Sequence, residues 1–338
     1  MITLTIKDIA KESGYSVSTV SRVLNNRHDV SPQARSRIME VVELHNFVLN
    51  SNAKQLKQSQ SKTVSVIVKG SSNMLFSSIV EEMQKMIEKT KYTVSVCYLD
   101  EDENEVEHAL IQCRERKPVG ILFLGGNPDY FHARFEKVKI PCVLVTNDST
   151  DLKFTNLSSV SIDDVEAAKC AVDYLFEHGH SRIGIIGGDP RISYTSHLRL
   201  IGSKESFKNH QLEFCENEYY EKARYSYDSA YHAMERLLNR AKDITGVFAM
   251  SDVMAIGAIR ALKDRHLNVP EDVSVIGFDG ITLASYYNPK LATVKQNSNI
   301  IATESVRILI DMIETEGEVV HERVPFELVA GESIRTFY

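Results

Sequence analysis

The sequence predicts an α/β protein: a small helical head, a polar linker and a larger body of parallel sheets covered by helices. Three observations carry this. From Thr63 onward, continuous apolar runs such as Val64-Ser65-Val66-Ile67-Val68 alternate with amphipathic helical patterns, as parallel strands buried on both faces require. Residues 5–24 read instead as two short helices around a glycine. Between head and body, residues 50–62 are polar, glycine-free and hold one large apolar side chain, Leu56.

In the head, Thr5 is placed to cap the first helix with Asp8 reaching back, and Ile6, Ile9 and Ala10 mark its inner face. Gly14 ends it. Ser16 can cap a second helix whose Val20, Val23 and Leu24 face inward, leaving Val17, Ser18, Ser21 and Arg22 outward. This is a helix-turn-helix, and that outward face is the one a DNA major groove would receive. After the polar loop Asn26–Asp29, Ser31-Pro32 opens a third helix with Ile38, Val41, Val42 and His45 on one face, and Phe47 and Val48 close the small core. By composition alone the linker reads as disordered chain.

Strand-like runs in the body are 64–68, 93–96, 120–124, 142–145, 183–186, 246–249 and 273–276. Helical patterns such as Ile79, Met83, Met86, Ile87 and Val165, Ala168, Val172, Leu175 lie between them. Two sheets fit the length, and ligands of open α/β sheets bind beyond the carboxyl ends of the strands, which makes a cleft between two lobes the natural site.

Composition narrows the class. With 43% hydrophobic and 25% charged residues the chain is that of a soluble globular protein, and no run reaches the roughly 18 apolar residues that cross a bilayer. Met1-Ile2-Thr3-Leu4 enters a helix without a basic start or cleavage site, so export is not expected and a cytoplasmic location is. The five cysteines are scattered and odd in number, which predicts reduced, buried thiols. Residues 1–62 hold nine Lys+Arg against five Asp+Glu, a charge of +4, leaving 30 against 41, or −11, in the rest of a chain of net charge −7. A basic head on an acidic body meets DNA head first.

Catalytic wording is missing: there is no P-loop, Gly-x-Gly-x-x-Gly, His-Glu-x-x-His or Gly-x-Ser-x-Gly. Asp163-Asp164 read as a helix start and His178-Gly179-His180 as a turn. No enzyme, metal or cofactor is expected.

Lys7-Asp8-Ile9-Ala10 followed by Thr19-Val20-Ser21-Arg22-Val23-Leu24-Asn25 resembles the headpieces of the LacI/GalR family of bacterial transcription regulators. The resemblance continues in Leu175–Gly188, Ser251–Gly257 and Val273–Asp279, which are similar to that family's regulatory core, a relative of periplasmic sugar-binding proteins. It implies a headpiece at 1–48, a hinge helix at 49–62 and a two-lobed core at 63–338. The first lobe would take about 63–163 and 296–325, and the second about 164–295 and 326–338, with crossings near Asp164, Gln296 and Pro325. The implied DNA-contacting residues are Thr5, Ser16, Val17, Ser18, Thr19, Ser21, Arg22 and Asn25 in the headpiece and Ala53 and Leu56 in the hinge. There, Leu56 would wedge into a minor-groove step, and the hinge would fold only on operator DNA beside a partner's hinge.

For the cleft, the resemblance implies Arg199 and Asp279 as effector contacts, with Gln296 at a crossing and Asn73 and Phe76 after the first strand. Tyr225 takes the place of an aromatic often Trp or Phe, Thr146 that of a common Asp, and Ser251 that of a frequent Asn, while Asp163 keeps the usual acidic residue. Hydroxyl-matching carboxylates and amides with one or two rings suit a neutral sugar better than a purine. The expected protein is a homodimeric repressor of a carbohydrate-utilisation operon, binding double-stranded operator DNA under control of a small sugar-like effector. A purine or other corepressor on the same fold is the alternative, and a solute-binding protein is disfavoured because it would have no use for residues 5–62. Chain ending at Tyr338 leaves no room for a heptad tail, so a tetramer built that way is not expected.

Overall fold

A computed structural model describes residues 6–24, 30–45, 62–70, 73–315 and 317–336. The chain divides into two compact units, residues 1–61 and 62–338. Thr5, Asn25, Phe47, Val48, Ala53, Leu56 and the rest of the 46–61 linker lie outside the described residues.

The first unit contains α1 (Ile6–Ser13), α2 (Val17–Leu24) and α3 (Pro32–Leu44). Gly14 stops α1 with a left-handed φ of 76°, a conformation that costs glycine no Cβ clash. The Ser16 hydroxyl accepts from the Thr19 amide at 3.2 Å and so caps α2, while Ser31 caps α3 and Pro32 occupies its first turn. Ile9, Val20, Val23, Ile38 and Val41 bury the shared core. His45, expected on the inner face of α3, is instead its C-cap, half-buried and 2.8 Å from the Glu12 carboxylate.

The second unit holds two six-stranded sheets. The first runs in the order β11-β5-β4-β3-β1-β2, with β1 Thr63–Lys69, β2 Thr93–Leu99, β3 Gly120–Leu124, β4 Cys142–Val145, β5 Leu157–Ser161 and β11 His321–Arg323. The second runs β12-β10-β9-β8-β6-β7, with β6 Ile183–Gly187, β7 Tyr220–Lys222, β8 Gly246–Ala249, β9 Ser274–Asp279, β10 Ala292–Gln296 and β12 Phe326–Val329. All pairings are parallel except β10 with β12. Central strands β3, β4, β6 and β8 are buried along their whole length, which explains their unbroken apolar wording. The chain passes between sheets after β5, after β10 and between β11 and β12.

Helices cover both faces. Ile79, Val80, Met83 and Ile87 of the helix Met74–Ile87 face the first sheet, and Phe123, Phe131 and Phe135 fill its other side with ring centroids 5.0 to 6.1 Å apart. On the second sheet, the helices Asp164–Glu177 and Tyr194–Asn209 pack closely enough that a Cβ on Gly202 would overlap the Val165 carbonyl.

The thiols depart from expectation: Cys142 is buried, Cys97, Cys113 and Cys170 are half-buried and Cys215 is exposed, although all five are unbridged. Cys215 lies at the start of a short surface helix, where no apolar run surrounds it. Among the described residues no helix is long and apolar enough to cross a membrane, and no cluster of potential ligands could hold a metal ion.

Candidate functional site

The headpiece presents α2 by one face. Val17, Ser18 and Arg22 are exposed, Thr19 and Ser21 are half-buried, and Val20 and Val23 are inside. Ser16 spends its hydroxyl on the cap and stands within 2.7 Å of the Ser18 hydroxyl and 2.8 Å of Thr19 Oγ1. The geometry gives α2 a polar outer surface with one valine methyl pair and one guanidinium, groups suited to base edges and phosphates.

The second unit holds a cavity of about 550 Å³. It is built at the carboxyl ends of strands from both sheets: Lys69 ends β1, Gly125 follows β3, Thr146 follows β4, Gly188 follows β6, Asp279 ends β9 and Gln296 ends β10. Convergence of strand ends is the general logic of α/β ligand sites. Thr146 and Asp279 hold φ of 72° and 107°, a backbone region unfavourable for side chains with a Cβ and often retained where function requires it.

At the wall from the second sheet, Arg199 is 4% exposed. Its Nε donates to Asp164 Oδ1 at 2.7 Å, its Nη1 donates to the Met250 carbonyl, and its guanidinium lies 3.6 Å from the centre of the Phe278 ring. Burial raises the Asp164 carboxyl above its ordinary value against the pull of Arg199. Asp279 accepts from Gln296 Nε2 at 2.9 Å through Oδ1, while its buried Oδ2 has no partner among the described residues. Burial outweighs Arg199 and Gln296 and pushes the Asp279 carboxyl up to about 7. Tyr225 hydrogen-bonds to Ser196 at 2.8 Å, and Ser196 accepts from the Gly188 amide.

On the first-sheet side, Asn73 caps the helix Met74–Ile87 through the Leu75 amide, which sets Phe76 one residue further at the cavity wall, its ring against Gly125. Lys69 pairs with Glu105 at 2.9 Å, both buried, beneath the Tyr130 ring. Two further bonds join the lobes: Asn127 Nδ2 to the Ile192 carbonyl at 2.8 Å and Thr195 Oγ1 to Asn147 Oδ1 at 3.0 Å.

The structure therefore gathers Asn73, Phe76, Thr146, Arg199, Tyr225, Asp279 and Gln296 around one cavity. Asp163 and Ser251 are not among its lining residues. Asp163 caps its helix through the Glu166 amide and pairs with Arg323 at 2.7 Å. Ser251 is buried and caps the helix Asp252–Asp264 through the Met254 amide. Both hold positions next to strand ends, but a short side chain committed to its own helix does not extend into the space. Sequence reasoning missed Asp164 as the partner of Arg199, treating it as a capping residue. It also missed Lys69, Glu105, Asn127 and Thr195, whose only signal is their place just after or near a strand end.

Comparison with known proteins fits this architecture. Residues 5–50 match the model described as bacterial regulatory proteins, lacI family, and residues 172–334 match the periplasmic binding protein-like domain. The chain is 36% identical to the HTH-type transcriptional regulator MalR of Clostridium butyricum, over 98% of this chain and 99% of that one. It belongs to the LacI family. LacI-family members are DNA-binding transcriptional regulators rather than enzymes, and the helix-turn-helix with its two-lobed partner unit is the structural form of that role. Among solved structures, this LacI-family chain is similar to a transcriptional regulator CelR–cellobiose complex, with a TM-score of 0.71, 26% identity and coverage of 98% and 99% of the two chains. The lac repressor dimer bound to operator and an anti-inducer shares the fold, with a TM-score of 0.74 at 24% identity over 98% and 99%.

Proposed function

We propose that the chain is a homodimeric, cytoplasmic repressor of a carbohydrate-utilisation operon, released from or held on its operator by a neutral sugar in the 550 Å³ cavity. One observation carries the choice of ligand. Among the described lining residues, each cation already has a carboxylate: Lys69 has Glu105, Arg199 has Asp164, Lys222 has Asp189, and Arg224 has Asp100 and Glu101. An unpartnered carboxylate oxygen, Asp279 Oδ2, is left to accept. Hydroxyl donors satisfy it; an anionic ligand would meet no spare cation. Phe76 and Tyr225 supply ring surfaces, and the similar CelR is described with cellobiose.

Calorimetry against a panel of neutral sugars, sugar acids and purines tests this reading. A neutral sugar should bind, and Asp279→Ala should weaken it by about 1.5–3 kcal/mol, the range for a hydrogen bond to a charged group; binding only by acids or purines refutes it. The pH dependence has a definite sign. Below about 7 Asp279 carries a proton, and above it the carboxylate accepts more strongly. Sugar affinity should thus rise as pH rises through about 7 and be flat in Asp279→Asn. The empty protein behaves oppositely: with the folded value raised from 3.8 to about 7, its stability falls as pH rises through that window.

In the headpiece, Val17, Ser18 and Arg22 are proposed to read operator bases, with Ser16, Thr19 and Ser21 on the backbone, and with Thr5, Asn25, Ala53 and Leu56 contributing as the family resemblance implies. Arg22→Ala should weaken specific operator binding by about 1–3 kcal/mol without changing sugar affinity. Loss of both together, measured by DNA retardation and calorimetry on one preparation, contradicts that division of labour.

A further inference from the structure

The two lobes meet across the cavity in two chemically different ways. On one side the joining bonds are neutral, Asn127 to Ile192 and Thr195 to Asn147. Elsewhere at the cavity wall they are charged. The loop Asp100-Glu101-Asp102 follows β2 of the first sheet, and Arg224 follows β7 of the second. Arg224 Nε donates to Glu101 Oε1 and Nη2 to Asp100 Oδ1, while Asp102 Oδ2 lies 3.4 Å from Nη2. All four residues line the cavity. Each side is braced locally: the Asp100 amide donates to Glu103 at 2.7 Å, and the Arg224 amide donates to Ser229 Oγ at 2.8 Å.

We propose that Arg224 and this acidic loop form an electrostatic latch that sets how readily the lobes part. Three carboxylates from one lobe face a guanidinium from the other, so closure brings opposite charges together and opening separates them. Arg224 is 52% exposed, which keeps the attraction screened by salt and modest in size. A contact of that strength biases an equilibrium between open and closed cavities without locking it. Because the latch bridges the two lobes at the cavity wall, Arg224 acts on effector binding through lobe position, as a positioning residue. The neutral pair carries no comparable salt dependence. Ionic strength therefore acts on the charged contact selectively.

The test is hydroxyl-radical footprinting of the full-length, effector-free protein, read at Phe76 and Tyr225 inside the cavity with Tyr15 of the headpiece as internal reference. Arg224→Glu places a fourth carboxylate against the loop and should raise labelling of Phe76 and Tyr225 several-fold relative to Tyr15. The charge exchange Arg224→Glu with Glu101→Arg should return labelling toward the wild-type level, which a merely structural role for Arg224 would not do. Added sodium chloride should raise labelling in the wild type and leave Arg224→Gln unchanged. Equal labelling of wild type and Arg224→Glu, no recovery in the exchanged pair, or the same salt response in Arg224→Gln would each overturn the latch.

Discussion

Arg199→Ala is expected to destabilise the two-lobed unit by about 3–5 kcal/mol, the range for removing one partner of a buried ion pair. Asp164, 4% exposed, then keeps its carboxylate in the interior with no cation, the Met250 carbonyl loses its donor and the Phe278 ring loses its cover. Denaturant titration followed by circular dichroism measures the loss. The deficit should shrink at lower pH, where an orphaned Asp164 can take up a proton and cease to be a buried charge. Replacing the pair together, Arg199→Met with Asp164→Leu, should cost less than Arg199→Ala alone, since no charge is stranded. A single-variant loss near zero at neutral pH would show that water reaches the pair and that the wall is softer than its burial indicates.

Gly202→Ala should be the other severe change, although it adds one methyl group. That methyl would overlap the Val165 carbonyl where the helices Tyr194–Asn209 and Asp164–Glu177 cross, and backbone cannot yield as a side-chain tip can. Overpacking of this kind costs about 1–3 kcal/mol or more. The effect should reach the cavity too. Arg199 lies one turn before Gly202, and Asp164 immediately precedes Val165, so forcing the helices apart stretches the 2.7 Å pair. Thermal unfolding and sugar calorimetry should therefore fall together. Gly246→Ala is the control: there the nearest atoms would lie 3.4 Å from the new carbon, an ordinary contact. Equal melting temperatures for both variants would mean that the helix crossing is not under this constraint.

These expectations show which parts of the molecule could be read from its residues. Strands β1, β3, β4, β6 and β8 were legible because burial on both faces demands unbroken apolar side chains. Strand β5 was not. It is buried throughout, yet three of its five residues are serines, and the Ser158 and Ser159 hydroxyls find partners in Met312, Asp148, His321 and the Val320 amide. Hydropathy cannot see a polar group that is satisfied in three dimensions. Strands β7 and β11 have three residues each, too short to show a period. The cavity divides the same way. Arg199, Asp279 and Gln296 stand within recognisable phrases, whereas Lys69 with Glu105, and Arg224 with its acidic loop, come from segments distant in sequence whose meeting depends on the folded topology. Asp163 and Ser251 mark the converse error: the right residue type beside the right strand, turned to serve its own helix.

The returns of the chain between sheets bear on the protein's birth at the ribosome. The first sheet's outer edge, β11 at 321–323, is made long after its neighbour β5 at 157–161, and the second sheet's β12 follows at 326–329. During synthesis each lobe must therefore wait with an open flank of unpaired amides and carbonyls. Nascent chains stalled before residue 321 should be the ones that chaperones hold and proteases find, and residues 321–329 act as the clasp that completes both lobes almost at once.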